Sequence, residues 1–184
     1  MSILVVGNAV VDTLCPADTL LMQGNIPLET IARCLGTARG SGAQIVVNTA
    51  PGVPGAELLV AMADVLVVNA GEAAGFSGAA APEVAAEALL GRSPDSVVVT
   101  LGAAGAHLLT GDTHHRLPAP EVTTVDTTGA DGVLVGVLTA ALDAGIDPRA
   151  ATVWAIRAAS LKVTRHGTIA GFPTAAEVAA LRQA

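Results

Sequence analysis

The seven residues Asp126-Thr127-Thr128-Gly129-Ala130-Asp131-Gly132 put two carboxylates and two glycines where a run of alternating β-formers gives way to an apolar segment. Where a strand-like stretch turns into a helix, the first turn has free N–H groups and the positive end of the helix dipole, and both suit an anion. Gly129 lets the backbone turn tightly or come close to a ligand. The same residues also fit a plain turn, with Asp126 or Thr128 as the helix cap. Asn69 and Glu72 form a second group. Three residues apart, they point the same way on a helical turn, and an amide beside a carboxylate suits a hydrated Mg²⁺. They equally fit a helix start, with Asn69 as cap and Glu72 as its partner in the third position. A third group is Thr100-Leu101-Gly102-Ala103-Ala104-Gly105, whose glycines let backbone approach a ligand or a neighbouring element. It lacks the Lys and Ser/Thr of a phosphate-binding P-loop.

Other reactive side chains offer less. The four histidines are expected to stay apart: His114 and His115 alternate on a hairpin strand, His107 is half-buried and His166 lies in a loop. Cys34 reads as a core residue, and neither it nor Cys15 has metal-ligating neighbours at zinc-site spacing.

The elements that must position these groups alternate along the chain. Apolar, β-branched runs at 3–6, 20–22, 44–47, 65–68 and 96–100 predict buried strands. Helices are predicted at 27–39, 57–62, from 69 onward, at 82–90, after 132, at 147–159 and at the end of the chain, with a hairpin around Gly111-Asp112. This order predicts a single α/β domain over residues 1–184, three layers with a mostly parallel sheet and helices on both faces. Ligands of such sheets gather beyond the carboxyl ends of the strands. Asn69, Glu72, Thr100, Gly102, Gly105 and the 126–132 turn all fall there.

Composition narrows the partners. The net charge is −7 and no basic run occurs, so nucleic acid is not an expected partner. No apolar run reaches the length of a membrane span, and the apolar start is too short and meets Asp12 too soon to be an export signal. Two thiols then read as reduced and cytoplasmic. With 52% apolar and only 14% charged residues, the surface has apolar area left to cover, which points to a homo-oligomer.

Taken in order, VVGNAVVD (Val5–Asp12), LMQGNIPLETI (Leu21–Ile31), NAGEA (Asn69–Ala73), TLGAAG (Thr100–Gly105), VDTTGADG (Val125–Gly132) and VTRHG (Val163–Gly167) resemble the motifs of the ribokinase-like, or PfkB, carbohydrate kinases. The resemblance implies ATP-dependent phosphorylation of a sugar, nucleoside or similar compound. It implies that Asp12 touches the substrate, that Asn69 and Glu72 hold Mg²⁺ through water, and that Thr100, Gly102, Gly105, Asp126 and Thr127 border the nucleotide. Gly129, Ala130 and Gly132 would offer their backbone to the transferred phosphate, and a monovalent cation such as K⁺ would lie near the 163–167 segment.

Two departures matter. The family signature ends in Gly-Asp, with the Asp as base; here the order is Asp131-Gly132, so Asp131 must stand in. One residue at a helix start is about 100° of rotation and 1.5 Å of rise, while a base must come within about 3 Å of its proton. The chain is also short for the family, with the lid and the sugar-gripping glycines expected to be missing between Asp12 and Asp18. These departures predict an impaired kinase. The alternatives are an inactive remnant that still binds nucleotide or anion, or an oligomeric scaffold.

Overall fold

The computed structural model describes residues 3–6, 18–24, 26–50, 57–92 and 94–182. Seven strands, β1 (Ile3–Val6), β2 (Thr19–Gln23), β3 (Gln44–Asn48), β4 (Val65–Asn69), β5 (Ser96–Thr100), β6 (Ala106–Thr110) and β7 (Thr113–Leu117), form one sheet whose spatial order is their chain order. Each strand from β1 to β5 pairs in parallel with the next. Only Gly111 and Asp112 join β6 to β7, a link that an antiparallel pair alone allows. The helices are α1 (Leu28–Ser41), α2 (Glu57–Met62), α3 (Ala70–Ser77), α4 (Pro82–Leu90), α5 (Ala130–Asp143), α6 (Pro148–Val163) and α7 (Ala175–Ala180). The α/β class with a mostly parallel sheet is therefore as the sequence predicts.

Contacts divide the chain into two compact units, one drawn from Met1–Leu101 and His107–His115, the other from Gly102–Ala106 and Arg116–Ala184. In the first, alternate strand residues Leu20, Met22, Ile45, Val47, Leu66, Val68, Val97 and Val99 share one core with Ile31 and Leu35 of α1, Leu59 of α2 and Leu89 of α4. The residues between them, including Leu21, Val46, Val67 and Val98, point to the opposite face and are buried as well. A strand buried on both faces needs a continuous apolar run, which is why these segments read so plainly in the sequence. Pro27 opens α1, and Gly42, at φ 76°, closes it by donating its N–H to the last turn.

In the second unit α5 packs on α6. Small buried residues of α6, Ala151, Ala155 and Ala158, leave room for the larger Leu134 and Leu138 of α5. Asp147 caps α6, its Oδ1 accepting the N–H groups of Arg149 and Ala150 at 3.0 and 3.2 Å. Two expectations are corrected here. The helix expected at 147–159 runs on to Val163, because no breaker interrupts it before Thr164 and Gly167. The alternating β-formers of residues 121–125 form no strand. The N–H groups of Val125 and Asp126 both donate to the Val163 carbonyl, at 2.7 and 3.1 Å, and not to a sheet, while Val122 and Val125 stay exposed. Among the described residues, no helix is long and apolar enough to cross a membrane.

Candidate functional site

In the first unit, Asn69 and Thr100 are the last residues of β4 and β5 and are register partners. Their position at the carboxyl ends of adjacent parallel strands is the one the sequence predicts. Asn69 caps α3: its Oδ1 accepts the Glu72 N–H at 2.8 Å, and Glu72 Oε2 accepts the Asn69 N–H at 3.1 Å. The capping box, one of two alternatives in the sequence, is thus formed. The Thr49 hydroxyl adds a third tie to Glu72 Oε2 at 2.9 Å. Both of these ties to the carboxylate fall on Oε2, and among the described residues none donates to Glu72 Oε1. The Thr100 hydroxyl donates to the Val68 carbonyl at 3.4 Å.

Two histidine expectations are corrected: the rings do not all stay apart, and His107 is buried where half-burial is expected. His107 Nε2 and His114 Nδ1 meet at 2.9 Å across the β6–β7 hairpin, and Glu87 of α4 lies 3.2 Å from His114 Nε2. The first correction has a simple cause: a two-residue turn sets 114 opposite 109, and 107 lies on the same face as 109, so the two rings are diagonal neighbours on one side. No group of three or more His, Cys, Asp or Glu among the described residues is placed to hold a metal ion.

In the second unit, Gly102 begins a 3₁₀ turn (Gly102–Ala104) at φ 58° with open space where a side chain would stand. Gly105 differs: at φ 93°, an added Cβ would lie 2.0 Å from the Leu117 carbonyl oxygen. This glycine allows close passage of the chain's own backbone.

The 126–132 turn is built around Asp126. Its Oδ1 accepts the Thr128 N–H and its Oδ2 the Gly167 N–H, both at 2.9 Å. The Thr128 bonds, then the Gly167 N–H and the Lys162 charge, pull the carboxyl down to about 2. Asp126 therefore ties the turn to the loop after α6 and does not cap α5. The residue before the helix is Gly129, at φ 85°, with no side-chain cap. No side chain caps the first turn, although the Ala130 N–H is taken by a backbone carbonyl. Thr127 accepts the Ala130 N–H through its carbonyl at 3.1 Å. Asp131 and Gly132 are both exposed in the first turn, and a Cβ at Gly132 would meet nothing within 4 Å.

Lys162, which the sequence does not single out, is wholly buried. Its Nζ donates to the carbonyls of Asp126 at 2.9 Å and Arg165 at 3.4 Å, and lies 3.9 Å from Asp126 Oδ2. The available signal is that it is the only lysine in the chain and stands between apolar neighbours. Asp12 lies outside the described residues, as does the whole stretch between Asp12 and Asp18 where a missing lid is expected.

Beside this turn, Arg165 Nη2 donates to Glu177 Oε1 at 2.5 Å. That bond, with the Thr174 N–H and hydroxyl, lowers the Glu177 carboxyl to about 2. Both acids have ordinary values higher than this, 3.8 for Asp126 and 4.5 for Glu177. A carboxyl depressed on folding stabilises the fold above its unfolded value, and that contribution is lost as pH falls through the folded one. Thermal midpoints should therefore fall between about pH 4.5 and 2. The fall should be shallower in Asp126→Asn and Glu177→Gln. An unchanged acid limb in both variants would mean that these bonds do not form.

The first unit thus presents Asn69, Glu72 and Thr100 at strand ends of a parallel sheet, and the second presents a helix start without a side-chain cap at Gly129. Residues 7–175 match the pfkB family of carbohydrate kinases, and the chain belongs to that family. It is 32% identical to the ribokinase of Bacillus subtilis over 161 residues, covering 88% of this chain and 54% of the relative. The crystal structure of ribokinase from Thermotoga maritima superposes with a TM-score of 0.82 at 31% identity, over 91% of this chain and 57% of that one. A fructokinase double mutant from Vibrio cholerae, solved with fructose, ADP and potassium, has a TM-score of 0.80 at 22% identity, over 93% and 62% of the two chains; at that identity the likeness is one of fold. The chain spans about half the length of the curated relatives it matches.

Proposed function

We propose that this chain is an ATP-dependent phosphotransferase of the carbohydrate-kinase type, acting on a sugar or nucleoside and slowed by its own first helical turn. The observation that carries this is at α5: a helix start without a side-chain cap, with Asp131 one position ahead of the base position held by Gly132. Gly129 and Gly132 would face the phosphate with their backbone, joined by Ala130 once its N–H leaves the Thr127 carbonyl, and Asp131 would have to take the acceptor proton. Mg²⁺ would be held through water by Glu72, whose Oε1 takes no hydrogen bond from the described residues, with Asn69 beside it; bound there with ATP, it supplies charge neutralisation of the phosphates. Thr100, Gly102, Gly105, Asp126 and Thr127 would border the nucleotide, and Asp12 would touch the acceptor. A homo-oligomer in the cytoplasm remains part of the proposal.

For the monovalent cation that the resemblance implies, we propose a substitute inside the chain. The Lys162 ammonium, buried among carbonyl oxygens and close to the Asp126 carboxylate, has the charge and the oxygen ligands that a potassium ion would seek.

Calorimetric titration with ATP and Mg²⁺ tests the nucleotide half. Binding is expected between about 1 μM and 1 mM, weakened at least about tenfold in Glu72→Gln. Absence of heat at millimolar ATP would overturn the kinase function. A second function, a nucleotide-binding remnant without turnover, is favoured by the Asp131-Gly132 order, and binding without ADP release would establish it.

A further inference from the structure

The outer side of α6 carries a cavity of 420 Å³ that the proposed kinase chemistry does not use. Its wall brings together Arg149, Arg157 and Arg182 around Trp154. Only nine basic residues stand against sixteen acidic ones in this chain, so a third of its positive charge is collected here. The single carboxylate in the wall, Asp147, is already occupied in capping α6. Arg157 is fixed by donating to the Leu181 carbonyl at 3.2 Å, and Arg182 lies over the indole, 5.7 Å from the ring centroid. Among the described residues, no carboxylate lies within ion-pair distance of Arg149, Arg157 or Arg182. The indole is held by its Nε1, which donates to the Val178 carbonyl at 2.6 Å.

Guanidinium groups match phosphate oxygens in pairs, and an indole offers a flat apolar surface. In a chain of net negative charge, an anion is drawn to a place where positive charge is concentrated. We propose that this cavity is a binding site for a phosphomonoester carrying a flat ring, the phosphate on Arg149 and Arg182 and the ring against Trp154. The site is separate from the 126–132 turn. Ala150 and Lys162 are twelve residues apart on one helix, which is about 18 Å along its axis.

Trp154 is the only tryptophan, so its emission reports on this cavity directly. Titration of the full chain with adenosine monophosphate should quench it saturably, with half-saturation below about 1 mM. Inorganic phosphate should compete, and adenosine should act only weakly. Arg149→Ala, which removes no contact seen in the fold, should raise the half-saturation at least about tenfold, and Arg149→Glu should abolish the response. Glu72→Gln should leave it unchanged, which separates this site from the nucleotide site proposed above. A response equally strong in Arg149→Ala and Arg149→Glu, or none at about 10 mM ligand, would overturn the assignment.

Discussion

Exchanging the first-turn pair, Asp131→Gly together with Gly132→Asp, is expected to raise phosphoryl transfer from ATP by roughly 10²–10⁴-fold, the range that a positioned general base contributes. The structure raises no obstacle to the exchange. A Cβ at Gly132 has open space around it, and its backbone is not in the left-handed region that only glycine tolerates. Both positions lie in the first turn of α5, so the carboxylate keeps its favourable place near the positive end of the helix dipole and the fold should be indifferent to the swap. What changes is direction, by about 100° around the helix axis. Coupled ADP release, measured against a panel of pentoses, hexoses and nucleosides and with water as the acceptor, reads the result. A doubly exchanged protein that binds ATP as the parent does, yet gains nothing, would show that position 132 is not where the proton leaves.

The second large effect is expected from Lys162→Met. Methionine fills similar volume but leaves the Asp126 and Arg165 carbonyls without their buried partner. Removing one side of a buried charge-assisted cluster costs about 3–5 kcal/mol. For a chain of this size that is a fall in the thermal midpoint of roughly 10 °C. If the ammonium does the work of a bound monovalent cation, K⁺ or NH₄⁺ should return part of the lost midpoint to Lys162→Ala, which unlike methionine leaves room for an ion, Li⁺ should not, and the parent should ignore all three. No loss on substitution would show that the ammonium is idle. A loss that no cation repairs would leave Lys162 as a structural tie only.

Much of the fold was legible because its strands are buried on both faces. Val65–Asn69 and Ser96–Thr100 are uninterrupted β-branched or Leu runs, each ending in a polar residue at the place where the chain leaves the sheet. Helix boundaries were legible where a rigid residue fixed them, as at Pro82. They failed where composition gave no stop, which is why α6 runs through Lys162 and carries it to the 126–132 turn. Residues 121–125 show the opposite failure. Alternation is a property of the residues, whereas a strand also needs a neighbour, and the Val163 carbonyl takes the N–H groups instead. The elements of the candidate site were visible as motifs, but not the division of labour within them. Nothing in the spacing says that Asp126 spends its carboxylate on Thr128 and Gly167, or that Gly105 serves the passage of residues 117–119. These are facts about what lies opposite in space, and one chain without a partner sequence does not contain them.

A sheet whose strands lie side by side in the order of synthesis has a consequence for how it is made. Each strand from β1 to β5 docks beside the one completed just before it, so no strand waits for a later segment to be inserted between it and its neighbour. Loop closures stay short, and the sheet can grow from one edge as the chain leaves the ribosome. At every stage of that growth the newest strand is an open edge, and the hairpin β6–β7 is the piece that brings the addition to an end.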